Sequence, residues 1–284
     1  MRRPFDKPVE LIPRRLYAIG GMVPLDGKVS WVPAAARGFQ PMNSYLLLED
    51  RYALLIDTGL PYHEAQVLDQ LGQVLPQGYD LSIYLTRYEM DCVGNVGPIA
   101  MKFGISHLYT GGVFNPFDGF DQISSIGEDR GAVEDRVSRV KAGNVLEIGK
   151  NGRTLEVITA PFKMLTAYWG YDAATETMFT SDMFGQHIWP EEAYHPVATE
   201  ADDKSTAESV ADAVRARYWW LDHINPAVLL ERFEALVAQY KISRIAPTHG
   251  SVVSGPVLVQ RHIQFIRQLL TPTVSQESKR RVSA

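Results

Sequence analysis

Short apolar runs alternate with amphipathic segments along the chain, and this alternation predicts an α/β protein. The apolar runs 43–48 and 52–56 are separated by Glu49-Asp50-Arg51, a pattern typical of a β-hairpin. From 63 to 75 the apolar residues recur at the spacing of one helix face, which predicts a helix after the hairpin.

The same patterns continue to the end of the chain. Further strands are predicted at 81–85, 106–109, 145–148, 154–160, 165–171, 177–181 and 243–246, and further helices at 93–103, 132–140, 205–218, 227–240 and 257–270. Ser205 and Asn225-Pro226 are helix-start signals. We therefore expect a surface arm at 1–14, one α/β domain at 15–270 with helices outside a sandwich of sheets, and a polar tail at 271–284.

Composition narrows the classes of partner. The 284 residues carry a net charge of −5, so no global basic field attracts nucleic acid. No apolar run approaches the length of a membrane span and no secretory leader is recognisable, so we expect a cytoplasmic protein without a membrane partner. The single cysteine, Cys92, excludes an intrachain disulfide and argues against a cysteine-rich zinc or iron–sulfur site.

Candidate chemistry lies where polar residues directly follow a predicted strand, because loops at strand ends are where sites are usually built. Four such stretches are present: 56–59 (Ile-Asp-Thr-Gly), 85–95 (Leu-Thr-Arg-Tyr-Glu-Met-Asp-Cys-Val-Gly-Asn), 179–187 (Phe-Thr-Ser-Asp-Met-Phe-Gly-Gln-His) and 245–250 (Ile-Ala-Pro-Thr-His-Gly). We interpret Asp57 as a structural group at the turn after its strand, and His187 and His195 as ordinary polar residues.

In order and content these stretches resemble the metallo-β-lactamase fold, and in particular its flavodiiron branch. The first metal motif of that branch, His-x-Glu-x-Asp-His followed by x-Gly-Asn, matches residues 87–95. Asp182 matches the bridging aspartate, His249 the last metal histidine, and the segment from Arg217-Tyr218-Trp219-Trp220 to Asn225-Pro226 is also similar. The resemblance spans about 15–270 and implies a four-layer αβ/βα sandwich.

The departures from the motif bear most on function. The first histidine of the motif is Arg87 and the last is Cys92, while the mid-chain histidine falls on Lys163 or, by a second count, on Met164. Of the seven metal-contacting positions that the resemblance implies, four keep a ligand: Glu89, Asp91, Asp182 and His249.

Charge suggests what replaces the metal. Two carboxylates ~4 Å apart repel by about 4 kcal/mol at an effective dielectric of 20, and three together need cations or protons. Arginine is a poor metal ligand because its guanidinium has no free lone pair. We therefore expect a salt-bridge network in which Arg87 and Lys163 replace the metal cations, and we predict no cofactor.

An alternative stays open at this stage. If Arg87 points outward, Asp91, Asp182 and His249, with Cys92 or Glu89, form a residual iron or zinc site. Cys92 is otherwise expected to be a small buried hydrophobic residue.

Three functional hypotheses follow. The first is a metal-free pseudoenzyme that binds a small-molecule ligand or a partner in a pocket of Arg87, Tyr88, Glu89, Asp91, Cys92, Lys163, Asp182 and His249. The second is a repurposed enzyme in which Lys163, Asp182 or His249 is the acid–base group, with Tyr88, Tyr168 and Trp169 around a small polar substrate. The third is a residual metal-binding hydrolase, oxidoreductase or oxygen-binding protein.

Flavodiiron proteins, by resemblance, reduce oxygen or nitric oxide with an FMN-bearing flavodoxin-like domain, for which we see no matching segment. The resemblance also suggests a homodimer.

Overall fold

In the computed structural model, residues 5–75, 77–111, 136–162, 165–191 and 195–271 are described, and their strands form two mixed sheets. The first sheet has the order β1-β2-β3-β4-β5-β6-β7. It begins with antiparallel strands and becomes parallel from β4 onward. Its strands are β1 Val9–Ile12, β2 Leu16–Leu25, β3 Gly38–Glu49, β4 Tyr52–Ile56, β5 Asp80–Leu85, β6 His107–Thr110 and β7 Val137–Arg139.

The second sheet has the order β12-β14-β13-β11-β10-β9-β8. Strands β8 to β11 form an antiparallel meander, and β11 then pairs in parallel with β13. The strands are β8 Val145–Ile148, β9 Arg153–Thr159, β10 Tyr168–Asp172, β11 Thr177–Ser181, β12 Val197–Ala198, β13 Arg244–Pro247 and β14 Val252–Ser254.

Helices cover the outer face of each sheet, so the molecule has four layers. A core between the two sheets contains Leu47, Tyr84 and Val157, with Phe179 from the second sheet. A second core lies under the helices of the first half, and a third under those of the second half. The helices are α1 Glu64–Val74, α2 Met90–Val93, α3 Val96–Phe103, α4 Ala207–Arg217, α5 Pro226–Gln239 and α6 Pro256–Leu270, with 3-10 turns at Pro61–His63 and Trp219–His223.

Local sequence explains where two of the helices begin. The Asn225 side chain accepts a hydrogen bond from the Ala227 amide (3.1 Å), and Pro226 occupies the first helical position of α5. Helix α4 begins at Ala207, two residues after the expected start at 205, because Thr206 and Ser209 form a reciprocal capping box.

The predicted hairpin and the strand at 145–148 are found at those positions. Two expectations are wrong. Residues 137–139 form β7 instead of the end of a helix, because they pair in parallel with β6; residues 132–135 lie outside the described part of the chain. The 1–14 segment is not a surface arm from residue 5 onward, because Val9–Ile12 pairs with β2 and Phe5 is buried in the core. Among the described residues, no helix is long and apolar enough to cross a membrane.

The two sheets are joined at one edge. The Asn43 amide donates to the Thr248 carbonyl (2.8 Å), and the Tyr168 amide donates to the Thr86 carbonyl (2.9 Å). The carboxyl ends of β4 and β5 therefore face those of β11 and β13, and the four polar stretches of the sequence meet there.

Candidate functional site

The site is built from loops that follow four strands. Asp57 follows β4, Arg87 follows β5, Asp182 follows β11 and His249 follows β13. β4 and β5 are parallel neighbours, as are β11 and β13, so the loops of each pair emerge at the same sheet edge. Ser181 and Asp57 hold left-handed backbone conformations, which turn the chain sharply out of each strand.

Arg87 lies at the centre of the site, with its side chain 1% exposed. Its Nε donates to Glu89 Oε2 (2.6 Å) and its Nη2 forms ion pairs with Asp91 and with Asp182 Oδ1 (3.0 Å). The remaining contacts are Nη1 to the Ser181 hydroxyl (2.6 Å) and Nη2 to His249 Nε2 (3.2 Å). One guanidinium therefore contacts all three carboxylates of the site.

A second arginine reaches the same carboxylates from helix α4. Arg217 Nη2 lies 2.6 Å from Glu89 Oε2 and 2.8 Å from Asp182 Oδ1. Glu89 and Asp182 each contact both guanidiniums, and Asp91 pairs with Arg87 and His249. Two arginines and three carboxylates thus form one connected network.

The network determines the protonation of its acids. Burial by itself raises the pKa of Asp91, but Arg87 and His249 outweigh that effect and hold the pKa well below its ordinary value. The pKa of Glu89 is lowered for the same reason, with burial opposed by Arg87 and Arg217. Both groups are therefore ionised at neutral pH.

His249 connects the network to an aromatic cover. Its Nε2 contacts Asp91 Oδ2, and its Nδ1 lies 3.7 Å from Asp182 Oδ1. The Trp31 ring stacks on the imidazole, with centroids 4.4 Å apart and planes 12° apart. Trp31 is itself held by its indole N–H, which donates to Gln40 Oε1 (2.8 Å).

Asp57 forms a layer beneath the network and does not contact its arginines directly. It accepts hydrogen bonds from the Thr86 amide (2.8 Å) and the Thr248 hydroxyl (3.0 Å). Burial raises the pKa of this carboxyl. Asp57 therefore links the loops after β5 and β13, which agrees with the structural role expected for it.

A small cavity of about 20 Å³, roughly the room for one water molecule, opens beside the network. Its walls come from the network, from the loop after β11, from helix α4 and from the Trp31 cover. Among the described residues the lining is Trp31, Asp182, Phe184, Gly185, Gln186, Ala213, Val214, Arg217, Tyr218 and His249. Three buried atoms of lining residues, Asp182 Oδ1, Gln186 Oε1 and Arg217 Nε, have no hydrogen-bond partner in the described part of the chain. Asp182 Oδ1 is nevertheless ion-paired with Arg87 and Arg217.

A family model described as "ODP family beta lactamase" matches residues 41–250, which is most of the chain. The match includes all four loops of the site but not Trp31. The chain belongs to this family. The metallo-β-lactamase-like core expected from the sequence is thereby confirmed, as is the α/β fold class.

Solved structures agree with this ODP-family fold. Rubredoxin oxygen:oxidoreductase from Desulfovibrio gigas aligns with a TM-score of 0.69 at 20% identity, covering 94% of this chain and 63% of that one. The flavodiiron protein from Giardia intestinalis gives 0.61 at 18% identity, covering 93% and 59%. A fragment (1–254) of a putative diflavin flavoprotein from Nostoc sp. PCC 7120 gives 0.65 at 16% identity, covering 97% and 98%. No curated protein matches the sequence.

These identities support the fold alone. The chain spans about three fifths of the length of the Desulfovibrio and Giardia proteins.

In this ODP-family chain the predicted pocket residues do not all face the site. Arg87, Glu89, Asp91, Asp182 and His249 come together, as described above. Cys92 is fully buried in the core under the helices of the first half, where burial raises the pKa of its thiol, and Tyr88 packs against the same core. Lys163 and Met164 lie outside the described residues.

The aromatic surround differs from the one expected. Tyr168 packs in the core between the sheets and Trp169 in the core of the second half, and neither lines the cavity. The aromatic residues that do line it are Trp31, Phe184 and Tyr218.

Two residues of the site are not predicted from the sequence: Arg217, the second cation, and Trp31, the cover. Arg217 stands near the end of a predicted helix, in the segment similar to the flavodiiron branch, and a cation there beside three expected carboxylates is the signal that identifies it. Nothing in the sequence around Trp31 indicates its contact with His249, because the two residues are 218 positions apart.

Proposed function

We propose that this chain is a metal-independent relative of the flavodiiron β-lactamase-like core, and that it acts as a binding module instead of a diiron reductase. The observation that supports this most strongly is the position of Arg87, whose guanidinium contacts Glu89, Asp91 and Asp182 together. The names of the Desulfovibrio and Giardia relatives describe oxygen reduction and two irons for those proteins.

The residues present do not suit a pair of metal ions. Asp91, Asp182 and His249 bring one ligand atom each within 4.8 Å of one another, which is the spacing of a metal site. The Arg87 guanidinium, however, contacts all three of these side chains. A dication ~4 Å from a guanidinium meets a repulsion of about 8 kcal/mol at an effective dielectric of 20.

Side chains already supply positive charge where a metal would. Among the described residues, the three carboxylates carry three negative charges, and Arg87 and Arg217 supply two positive charges in direct contact with them. The arginines therefore lower the electrostatic requirement for iron.

The cavity suggests what kind of ligand the module holds. Its volume of about 20 Å³ admits one water-sized group, and the unpartnered Arg217 Nε offers that group a hydrogen-bond donor. A small polar molecule that accepts a hydrogen bond fits this site, and a larger ligand requires Trp31 to leave its stacked position on His249.

A second candidate is a repurposed acid–base enzyme, and one observation favours it. His249 lines the cavity while its Nε2 contacts Asp91, and an imidazole oriented by a carboxylate is a pairing that acid–base enzymes use. Lys163, also expected as an acid–base group, lies outside the described residues.

Metal content tests the proposal. The protein is loaded with ferrous iron or zinc, dialysed and analysed for metal, as the wild type and as His249→Gln. We expect the wild type and His249→Gln to retain the same amount of metal. Arg87→His removes the central charge and adds a nitrogen ligand, so this variant should retain metal that the wild type does not. Arg215→His, at an exposed position on the same helix as Arg217, is the matched control. Two ions per chain in the wild type, lost in His249→Gln, would overturn the proposal.

Turnover separates the two candidates. The wild type and His249→Gln are compared on a panel of small esters, amides and lactams at neutral pH. Hydrolysis that needs His249 would establish the enzyme, whereas binding of small amides and carboxylic acids without turnover, measured by thermal shift, supports the binding module.

A further inference from the structure

A second polar cluster lies outside the site described above, on the other side of the loop that carries Asp182. His187 is at the end of that loop, Asp203 lies between β12 and α4, and His262 is on α6. The three residues come from separate elements and meet in the interior. From the sequence, His187 was expected to be an ordinary polar residue.

The side chains are buried and closely spaced. The exposed fraction of the side chain is 6% for His187 and 0% for both Asp203 and His262. His187 Nε2 lies 3.0 Å from Asp203 Oδ1, and His262 Nε2 lies 3.1 Å from Asp203 Oδ2. Both imidazoles therefore direct the same ring nitrogen toward one carboxylate.

This arrangement has the spacing of a metal site, because one ligand atom from each residue lies within 4.8 Å of the other two. Tetrahedral zinc, bound to nitrogen or oxygen at about 2.0–2.1 Å, separates its ligand atoms by about 3.3 Å. The two imidazoles approach different oxygens of Asp203, at 3.0 and 3.1 Å, which is close to that separation, and one oxygen must turn toward both imidazoles when the ion binds.

The surroundings of His262 supply the outer partner that a metal-binding imidazole requires. Gln186 Nε2 lies 2.6 Å from His262 Nδ1, and Gln186 Oε1 has no hydrogen-bond partner among the described residues. Rotating the amide by half a turn lets Oε1 accept from Nδ1–H and satisfies that atom. The lone pair of Nε2 then faces the Asp203 carboxylate, and a cation bound between the two would stabilise this arrangement.

We propose that His187, Asp203 and His262 bind one zinc ion, with Gln186 orienting His262 and a water or the Ser205 hydroxyl as the fourth ligand. The Ser205 hydroxyl lies 3.4 Å from His187 Nε2, at the edge of the same space. The ion ties the loop after β11 to α6 and to the segment that enters α4. This site is independent of the Arg87 network and does not require the proposed function to be correct.

One neighbouring charge opposes the ion and provides a sharp test. Arg261 Nη2 lies 2.8 Å from Asp203 Oδ2, and its side chain is 41% exposed. If the cluster binds zinc, Arg261→Gln removes a repelling charge and tightens binding. If the cluster is only a set of ion pairs, the same change loosens Asp203 and gives no zinc affinity.

The experiment is a calorimetric titration of chelator-treated full-length chain with zinc chloride at neutral pH. We expect one zinc per chain. His187→Gln and His262→Gln should each weaken binding by at least about 100-fold, and Gln186→Leu by about 10-fold, since loss of an outer partner alone costs about 10–100-fold. His223→Gln, at an exposed position, and His249→Gln, in the Arg87 network, should leave the affinity unchanged.

Several results would overturn the site. These are no zinc binding at micromolar protein, binding that survives His187→Gln and His262→Gln, or binding that disappears in His249→Gln. If either ligand variant fails to fold, zinc-edge X-ray absorption of the wild type decides the question. Two imidazoles and carboxylate oxygen at about 2.0–2.1 Å support the site, and a shell without imidazole refutes it.

Discussion

Replacement of Arg87 by methionine should destabilise the protein strongly. The substitution keeps a side chain of similar length but removes the buried charge that contacts Glu89, Asp91 and Asp182. Among the described residues, the three carboxylates then keep only Arg217 and His249 as compensating groups. Breaking a buried ion pair by removing one partner costs about 3–5 kcal/mol, mostly because the remaining charge is left buried and unpaired.

The expected change is large enough to measure by thermal unfolding. In a protein of this size each kcal/mol moves the midpoint by roughly 2–4 °C, so Arg87→Met should lower it by roughly 6–20 °C at neutral pH. Circular dichroism at 222 nm follows the transition, and urea unfolding checks that the midpoint falls without a change in slope.

Arg215→Met is the matched control for this measurement. Arg215 pairs with Asp222 on the surface at 3.0 Å, with side chains 39% and 51% exposed. Exposed pairs contribute about 0–1 kcal/mol, so the control midpoint should move by a few degrees at most. If Arg87→Met moves the midpoint no further than Arg215→Met does, the carboxylates do not depend on Arg87 and the charge argument is refuted.

Three further predictions concern acid stability, backbone conformation and assembly. Because the pKa of Asp91 is lowered in the folded state, ionised Asp91 stabilises the fold above its ordinary pKa near 4, and this stabilisation is lost as the pH falls through the lowered value. The urea midpoint of the wild type should therefore drop more steeply below pH ~4 than that of Arg87→Met. Parallel curves would contradict this. Gly250→Ala should lower the thermal midpoint more than Gly143→Ala. Both glycines have positive φ, but a Cβ at Gly250 would lie 2.9 Å from the backbone of the facing loop, whereas a Cβ at Gly143 meets nothing within 4 Å. Equal shifts would show that the facing loop moves to make room. The chain should sediment as a dimer at micromolar concentration, as its resemblance to flavodiiron domains suggests, and a monomer in analytical ultracentrifugation would reject this.

The sequence was most informative where local pattern and burial coincide. Strand β8, Val145–Ile148, alternates between exposed and buried residues, so its period alone identified it. The Asn225-Pro226 signal likewise marked the start of α5, because a helix start depends on neighbours within one turn. In contrast, β7 is a strand only because β6 lies beside it, and a three-residue polar segment carries no period of its own.

The site also combines residues that the sequence predicted with residues that only the structure placed there. The resemblance to the flavodiiron branch implied that Arg87, Glu89, Asp91, Asp182 and His249 belong to one pocket, because it matched all five to metal-contacting positions of that branch. The sequence also showed that Arg87 stands where a metal-binding histidine is expected, since this follows directly from the identity of the residue.

Only the tertiary structure decided which cation completes the network and what closes it. Arg217 reaches Glu89 across 128 positions of sequence, and Trp31 reaches His249 across 218. The His187, Asp203 and His262 cluster depends on the packing of α6 against the loop after β11. Such contacts are set by how whole elements pack against one another, and the short-range periodicity of a chain does not encode the direction of a side chain on a distant element.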